Sequence, residues 1–475
     1  MNIHPIVKEA ASVFAEAGKQ VFLVGGAVRD LLRGEESKDW DLATDARPEE
    51  VISLFHRRQT GEKEEKSGQG KKARYSFVIP TGIKHGTVTV HYRGFSMEVT
   101  TFRSESGYSD GRRPDKVEFG GSIEADLSRR DFTMNAAAYK LPLGPLIDPF
   151  GGTDDIKKRL IRSVGKAEER FAEDGLRPVR AMRFASQLDF TVDNEVLAAI
   201  PRAMALTAKV AAERIRDELD KIIASNKPST ALLIMEKTGL LELLIPELAA
   251  CRGVNQDRVN GCGFHKFDVL DHSLLACDFA AREGMSDEIR LAALYHDIGK
   301  PAALQTGEDG NKTFYQHEKE SSALTRQIFL RFRYPNAVTD QVCHLIEEHM
   351  FHYEENWSDA AVRRFVIRAG EENLRDLFSL RRADTYALAA KEVPPNLLLS
   401  LIDRIEETLA KSRALSLKDL AISGRDLMAA GIPHGKHLGI ILNELLEAVL
   451  NDPDLNTREK LLEVAGRINE RYAKQ

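Results

Sequence analysis

LVGGAVRDLLRG at residues 23–34, followed by KDWDLAT at residues 38–44, decides how this chain is read. A short apolar run from Val21 ends in Gly25-Gly26, and helical spacing follows, which predicts a buried strand, a tight turn and an amphipathic helix. Glycines at such a turn let the backbone approach a bulky anion, and a helix start offers N–H groups to phosphate oxygens. Many strand-to-helix turns use Gly-Gly, so the following segment matters more. There Asp39 and Asp41 flank Trp40. On a strand, residues two apart share a face, so these carboxylates are expected side by side. Like charges that close repel unless a cation neutralises them. Oxygen-only ligands suit Mg²⁺, which keeps part of its coordination shell for substrate phosphates. The alternative is an exposed turn with two solvated acids, and the preceding Gly-Gly turn weighs against it.

Residues 21 to 160 are rich in strand signals. GTVTVHY (86–92) and FSMEVTTF (95–102), separated by Arg93-Gly94, predict a hairpin. Residues 1–20 predict an amphipathic helix without a signal-peptide layout. From about residue 165 the pattern turns helical, as in AERIRDELDKIIAS, STALLIMEKTGLLELLIPEL and LLLSLIDRIEETLAKS. The expected class is α+β: a head with a mixed or antiparallel sheet and flanking helices, then an all-α remainder. Residues 56–74 form a polar, Gly-containing basic segment, read either as a solvated insertion or as a contact for an RNA backbone.

The chain has 475 residues, which at roughly 100–200 per domain predicts about three or four domains. With 43% hydrophobic and 29% charged residues it has enough apolar content for real cores. A net charge of −6 excludes coating of nucleic acid by bulk electrostatics, so such a partner needs a local basic surface. No apolar stretch is long enough to span a membrane. The cysteines at 251, 262, 277 and 343 form no CxxC pair, so no disulfide framework is expected and the cytoplasm is the default location.

LVGGAVRDLLRG and KDWDLAT resemble the signature of class II tRNA nucleotidyltransferases and bacterial poly(A) polymerases. The resemblance continues in order through RRDFTMNA (129–136), DPFGGTDDI (148–156), EDGLRPVRAMRFA (173–185) and AAERIRDEL (211–219). It implies two-metal phosphoryl transfer, in which an RNA 3′-hydroxyl attacks the α-phosphate of a nucleoside triphosphate and pyrophosphate leaves. Asp39 and Asp41 would hold two Mg²⁺ ions. Glu98, on the neighbouring strand, is a candidate third carboxylate, although a strand-face glutamate is as often a surface residue. Gly25, Gly26 and Arg29 fall in the nucleotide-binding turn. Arg130 and Asp131 take phosphate and ribose roles, with Asn135 beside them.

Asp174 and Arg177 are the positions matching the family's base-reading pair, with Arg180 and Arg183 following. Three apart, Asp174 and Arg177 would share a face of one helix. Cytosine and adenine each present an amine donor beside a ring-nitrogen acceptor, whereas guanine and uracil present the reverse polarity. A carboxylate and a guanidinium together therefore accept C and A and leave G and U mismatched. Pro178 must lie in the first turn of a helix or kink it. TGIKHGTVTV (81–90), EVTTFR (98–103) and YSDGRRP (108–114) look more like the CCA-adding branch.

YHDIGK (295–300) resembles the HD phosphohydrolases, with His296 and Asp297 adjacent on a helix. His272 and Asp384 fit the remaining ligand places, and His317 and His349 extend the pattern toward a second ion. Imidazole and carboxylate ligands suit Mn²⁺ or Ni²⁺, and Mg²⁺ less well. The implied reaction is hydrolysis of a phosphate ester, such as a 2′,3′-cyclic phosphate or 2′-phosphate at an RNA end. SGRDLMAAGIPHGKHLGIIL (423–442) looks like a C-terminal tRNA-binding module.

The domains expected are a catalytic head (1–160), a helical neck for base recognition (161–255), an HD domain (256–390) and a helical body (391–475). Expected partners are tRNA, CTP and ATP, with no membrane and no obligate protein partner evident. The expected function is addition or repair of 3′-CCA. The alternatives are an enzyme adding only CC or only A, a poly(A) polymerase, or an HD hydrolase whose head only binds RNA.

Overall fold

The computed structural model describes residues 2–37, 39–56, 76–83, 86–106, 116–256, 266–308, 310–392, 394, 396–411 and 415–473. Apart from His56, the basic segment 56–74 lies outside them, as does Cys262; Cys251, Cys277 and Cys343 are buried free thiols. The chain divides into two compact units, Met1–Pro246 and Glu247–Gln475.

In the first unit the strands are β1 (Val21–Val24), β2 (Asp41–Thr44), β3 (Ser76–Gly82), β4 (Thr87–Tyr92), β5 (Phe95–Thr101), β6 (Arg103–Ser106), β7 (Lys116–Phe119), β8 (Ala138–Lys140) and β9 (Leu146–Ile147). Seven of them form one sheet in the order β3-β4-β5-β2-β1-β8-β9. β2 and β5 pair in parallel and the other neighbours are antiparallel, so the sheet is mixed. β4 and β5 form the expected hairpin, closed at Arg93 and Gly94, both with positive φ. The Pro5–Glu16 helix buries Val7, Ala10, Val13 and Phe14 in a core shared with Leu23, Leu42, Phe55 and Met97. Its position follows from the apolar spacing and from Pro5 at the first turn. Beyond the sheet the unit is helical: Ala167–Glu173, Arg177–Leu188, Asn194–Thr207 and Ala212–Ile223 lead into Pro228–Thr238, which stops at Gly239 in the left-handed conformation.

The second unit is helical apart from one short hairpin among the described residues. Val269–Arg282, Asp287–Tyr295, His317–Arg331, Asn336–Glu348 and Leu374–Ala387 gather around the buried histidines. Farther on, Lys436–Asn451 and Arg458–Ala473 close over Leu427, Ile441, Leu445, Leu461 and Ala465. Arg363, buried on the Asp359–Ala369 helix, donates from Nε to the Leu450 carbonyl at 3.0 Å. No described helix is long and apolar enough to cross a membrane.

Candidate active site and metal centre

The head site starts where β1 ends. Gly25 has φ +68, a conformation costly for any residue with a Cβ, and a Cβ there would meet Arg130 Nη1 at 3.0 Å and Asp41 Oδ2 at 3.4 Å. Gly26 opens the Gly26–Leu32 helix, whose start carries no side-chain cap. Asp41 is the first residue of β2, and Asp39 sits in the bend just before it, exposed. Glu98 stands opposite Asp41 in the parallel register of β2 and β5 and is exposed. Burial, then the Glu98 charge, push Asp41 up to about 6 against the pull of Arg130, and Asp39 adds to the rise. Glu98 and Asp39 thus add to the cost of a charge on Asp41, and the donor set of the three is oxygen alone, which fits a hard divalent ion.

Asp39, Asp41, Gly25, Gly26 and Arg29 line one cleft of about 850 Å³ with Arg129, Arg130, Asp131, Asn135, Asp174, Arg177, Arg180 and Arg183. The sequence-derived residues of the head therefore converge, with Glu98 on the strand beside the cleft. Asn135 links several of them: Oδ1 accepts from Arg29 Nη1 at 2.9 Å, Nδ2 donates to Asp131 Oδ1 at 3.3 Å, and its carbonyl accepts from Arg130 Nη1 at 3.4 Å. Asp131 Oδ2 takes both Arg180 Nε at 2.8 Å and Nη2 at 2.6 Å. Burial opposes the charge on Asp131, but Arg180, with Arg177 and the Phe132 amide, holds it down at about 2.

Three residues in this network escaped the sequence reading. Asp126, buried, accepts from Arg129 at 2.7 Å and from Arg130 at 3.4 Å. Glu218, also buried, lies 2.9 Å from Arg183 and 3.8 Å from Arg180. Arg214 pairs with Asp174 at 2.9 Å. Glu218 and Arg214 lie within AAERIRDEL, so the motif carried a signal but its contacts did not follow from spacing. Phe184 supplies a ring face to Arg183 at 4.0 Å, with Arg29 at 5.4 Å and Arg180 at 5.6 Å. Burial and the nearby Arg180 push Arg183 down to about 10 despite Glu218.

The expected shared helical face of Asp174 and Arg177 is not found. Ala167–Glu173 ends before Asp174, which is extended, and Arg177 begins the next helix with Pro178 in its first turn. Proline is best tolerated at such a start, and Arg177 and Asp174 fall in different elements. Both still face the cleft. Gly175 between them lies so close to the Asn194–Thr207 helix that a Cβ would sit 2.8 Å from the Leu206 carbonyl.

In the second unit His272, His296 and Asp384 bring their ligand atoms within 4.8 Å of one another, as do His296, Asp297 and His349. His272 Nε2 lies 3.1 Å from His296 Nε2 and 3.2 Å from Asp384 Oδ1. His317 Nε2 lies 3.1 Å from Asp297 Oδ1. His296, His317 and His349 bond through Nδ1 to the carbonyls of Ala293, Phe314 and Ile346, which turns each Nε2 inward. That is the tautomer-fixing arrangement of metal-ligating histidines. Burial works against charge on His296, yet Asp297 and Asp384 push it up to about 10, whereas burial and the His296 charge push His349 down to about 3. A cation in place of that proton would satisfy the same two carboxylates, so the donor set fits a borderline divalent metal. Arg381 Nη1, 2.8 Å from Asp384 Oδ2, holds the outer oxygen of that carboxylate, whereas Lys300 Nζ lies 2.6 Å from Asp297 Oδ2, the oxygen that also stands 3.3 Å from His296 Nε2. One expectation needs correction: His296 and Asp297 are not in a helix but in the turn after Asp287–Tyr295. Pro301, with no N–H to offer the Asp297 carbonyl, stands in the first turn of Lys300–Ala303, where a new helix begins.

The fold and cleft define a nucleotidyltransferase: residues 21–162 match the family "Poly A polymerase head domain", 189–252 match "Probable RNA and SrmB- binding site of polymerase A", and 269–407 match "HD domain". Both the head and the HD domain imply divalent-metal binding. A CCA-adding enzyme of Lactobacillus johnsonii is 34% identical over 97% of this chain and 95% of its own length. One of Levilactobacillus brevis is 35% identical over 90% and 89%. The solved Bacillus stearothermophilus CCA-adding enzyme in complex with CTP superimposes with a TM-score of 0.70 at 28% identity, over 99% of this chain and all of the other. The chain belongs to the CCA-adding enzyme family.

Proposed function

We propose that the protein builds and repairs the 3′-terminal CCA of tRNA from CTP and ATP in the cytoplasm, without a nucleic-acid template. The observation that carries this reading is the meeting, in one cleft, of the Asp39 and Asp41 carboxylates with a ring of arginines and the Asp174 and Arg177 pair. The CTP bound to the solved B. stearothermophilus relative supports it.

In this reading Asp39 and Asp41, aided by Glu98, hold two Mg²⁺ ions. When bound, these ions lower the pKa of the RNA 3′-hydroxyl and neutralise the triphosphate. Arg29 and Arg130 bind phosphate oxygens, held in place by Asn135 and Asp126. Asp131 fixes Arg180 and, in this reading, accepts from a ribose hydroxyl. Asp174 accepts from the exocyclic amine of C or A, and Arg177 donates to the ring nitrogen. The new bond joins the 3′-oxygen to the α-phosphorus, and the α–β bridging bond breaks to release pyrophosphate. The work divides among head (1–160), neck (161–255), HD domain (256–390) and a tRNA-gripping body (391–475).

The HD centre supports a second activity, hydrolysis of a 2′,3′-cyclic phosphate or 2′-phosphate at a damaged RNA end. His272, His296, Asp297 and Asp384, with His317 and His349, would hold Mn²⁺, Ni²⁺ or Mg²⁺, which when bound supplies an activated water. The function is tested by sequencing the ends made from tRNA stopping at the discriminator base, at C and at CC. All three should finish in CCA. Products ending in CC, single-A products from the CC substrate alone, or long A tails would each replace this reading.

A further inference from the structure

We infer that Arg214 is a positioning residue for base selection: it holds Asp174 so that the carboxylate offers one open acceptor toward the cleft. This rests on the reading of Asp174 and Arg177 as the base-recognising pair. Asp174 lies between two helices, in extended backbone, so no helical neighbour fixes its side chain. The fixing comes from two other sources. Asp174 Oδ1 accepts from the Leu176 amide at 3.0 Å and from Arg214 Nη1 at 3.3 Å. Oδ2 accepts from Arg214 Nη2 at 2.9 Å. Oδ1 is thus fully occupied, while Oδ2 keeps a second lone pair.

The Arg177 side is set independently. Its Nη1 donates to the Arg170 carbonyl at 2.8 Å and to Glu173 Oε2 at 2.7 Å, and Nη2 donates to the Arg129 carbonyl at 3.0 Å. Nε–H and the remaining Nη2 hydrogen are left. An acceptor next to a donor is the complement of cytosine and of adenine, and the reverse of uracil. A carboxylate free to rotate, or to bind a water, would blur that polarity. The two-pronged Arg214 fork removes this freedom and leaves one acceptor. Arg214 comes from the Ala212–Ile223 helix, so base choice depends on how that helix packs on the Arg177–Leu188 helix.

The test measures incorporation of CTP and UTP by the full-length protein on tRNA lacking CCA. Arg214→Gln should raise the UTP-to-CTP ratio of kcat/KM by about tenfold or more, the effect of losing both charge-assisted bonds of the fork. Arg214→Lys, which keeps charge and one bond, should recover part of it. A loss of folded protein would lower both rates and leave the ratio alone, so an unchanged ratio in both variants overturns the inference. A lower KM for CTP with an unchanged ratio also overturns it, because Arg214 would then only block Asp174. Asp174→Asn separates the two levels. If it shifts the ratio and Arg214→Gln does not, the role of Arg214 fails; if neither shifts it, the reading of Asp174 fails first.

Discussion

Asp41 and Glu98 face each other in register across the parallel strands β2 and β5. Burial and this juxtaposition push Asp41 up to about 6. A carboxylate raised in the folded state contributes stability that is fully present below its unfolded pKa near 4 and is lost as pH rises through about 6. Protein stripped of divalent ions should therefore lose on the order of 2 kcal/mol between pH 4 and 7 from this group. Mg²⁺ should restore it, and Asp41→Asn should flatten that part of the profile. Thermal unfolding against pH, with chelator and with Mg²⁺, measures this; identical wild-type and Asp41→Asn profiles would contradict it.

Asp131 has the opposite sign. Held at about 2 by Arg180, it contributes stability present above its unfolded pKa near 4 and lost as pH falls toward 2. Asp131→Asn should cost about 2 kcal/mol at pH 7, with the difference shrinking below pH 4. Denaturant unfolding at pH 7 and pH 3 checks it, and a difference that grows in acid is the contrary result.

Gly175 is set against backbone, not against a flexible side chain. Gly175→Ala should force the Asn194–Thr207 helix outward, weaken the bond from Thr207 Oγ1 to the Gly175 carbonyl and cost about 1–3 kcal/mol. Calorimetry reads this directly, and an unaltered melting temperature would rule the close approach out.

His296→Ala should remove a transition metal from the second unit. Metal analysis after Mn²⁺ loading should fall, and hydrolysis of 2′,3′-cyclic phosphate ends should drop by at least about a hundredfold, the scale on which metal-site lesions act. CTP addition should persist, because the head ligands are separate residues. Equal rates of ring opening to the phosphomonoester by variant and wild type would refute the assignment.

These predictions draw on features that differed in how far the sequence revealed them. Val21–Val24, Gly25-Gly26 and Asp41 were legible because strand, turn and alternation are local patterns. A mixed or antiparallel sheet was expected, but the pairing of Asp41 with Glu98 depends on a parallel register between segments distant in sequence, which periodicity does not encode. The separation of Asp174 from Arg177 was partly written in Pro178, which marks a helix start and so excludes Asp174 from that helix. The His296-Asp297 turn was similarly marked by Pro301, which signals a helix start. The roles of Arg214 and Glu218 were hidden for another reason: their partners Asp174, Arg180 and Arg183 come from other elements of the chain. Asp126 pairs with Arg129 and Arg130, three and four residues on, but its burial was not written in that spacing.

The most direct test of the central claim is transfer of the labelled α-phosphate of CTP to tRNA lacking CCA, by wild type and by Asp39→Ala and Asp41→Ala, with folding verified by circular dichroism. The account predicts that both variants fall by at least about a thousandfold while remaining folded, as expected when the groups holding the ions are removed. Transfer at the wild-type rate by either folded variant would contradict it.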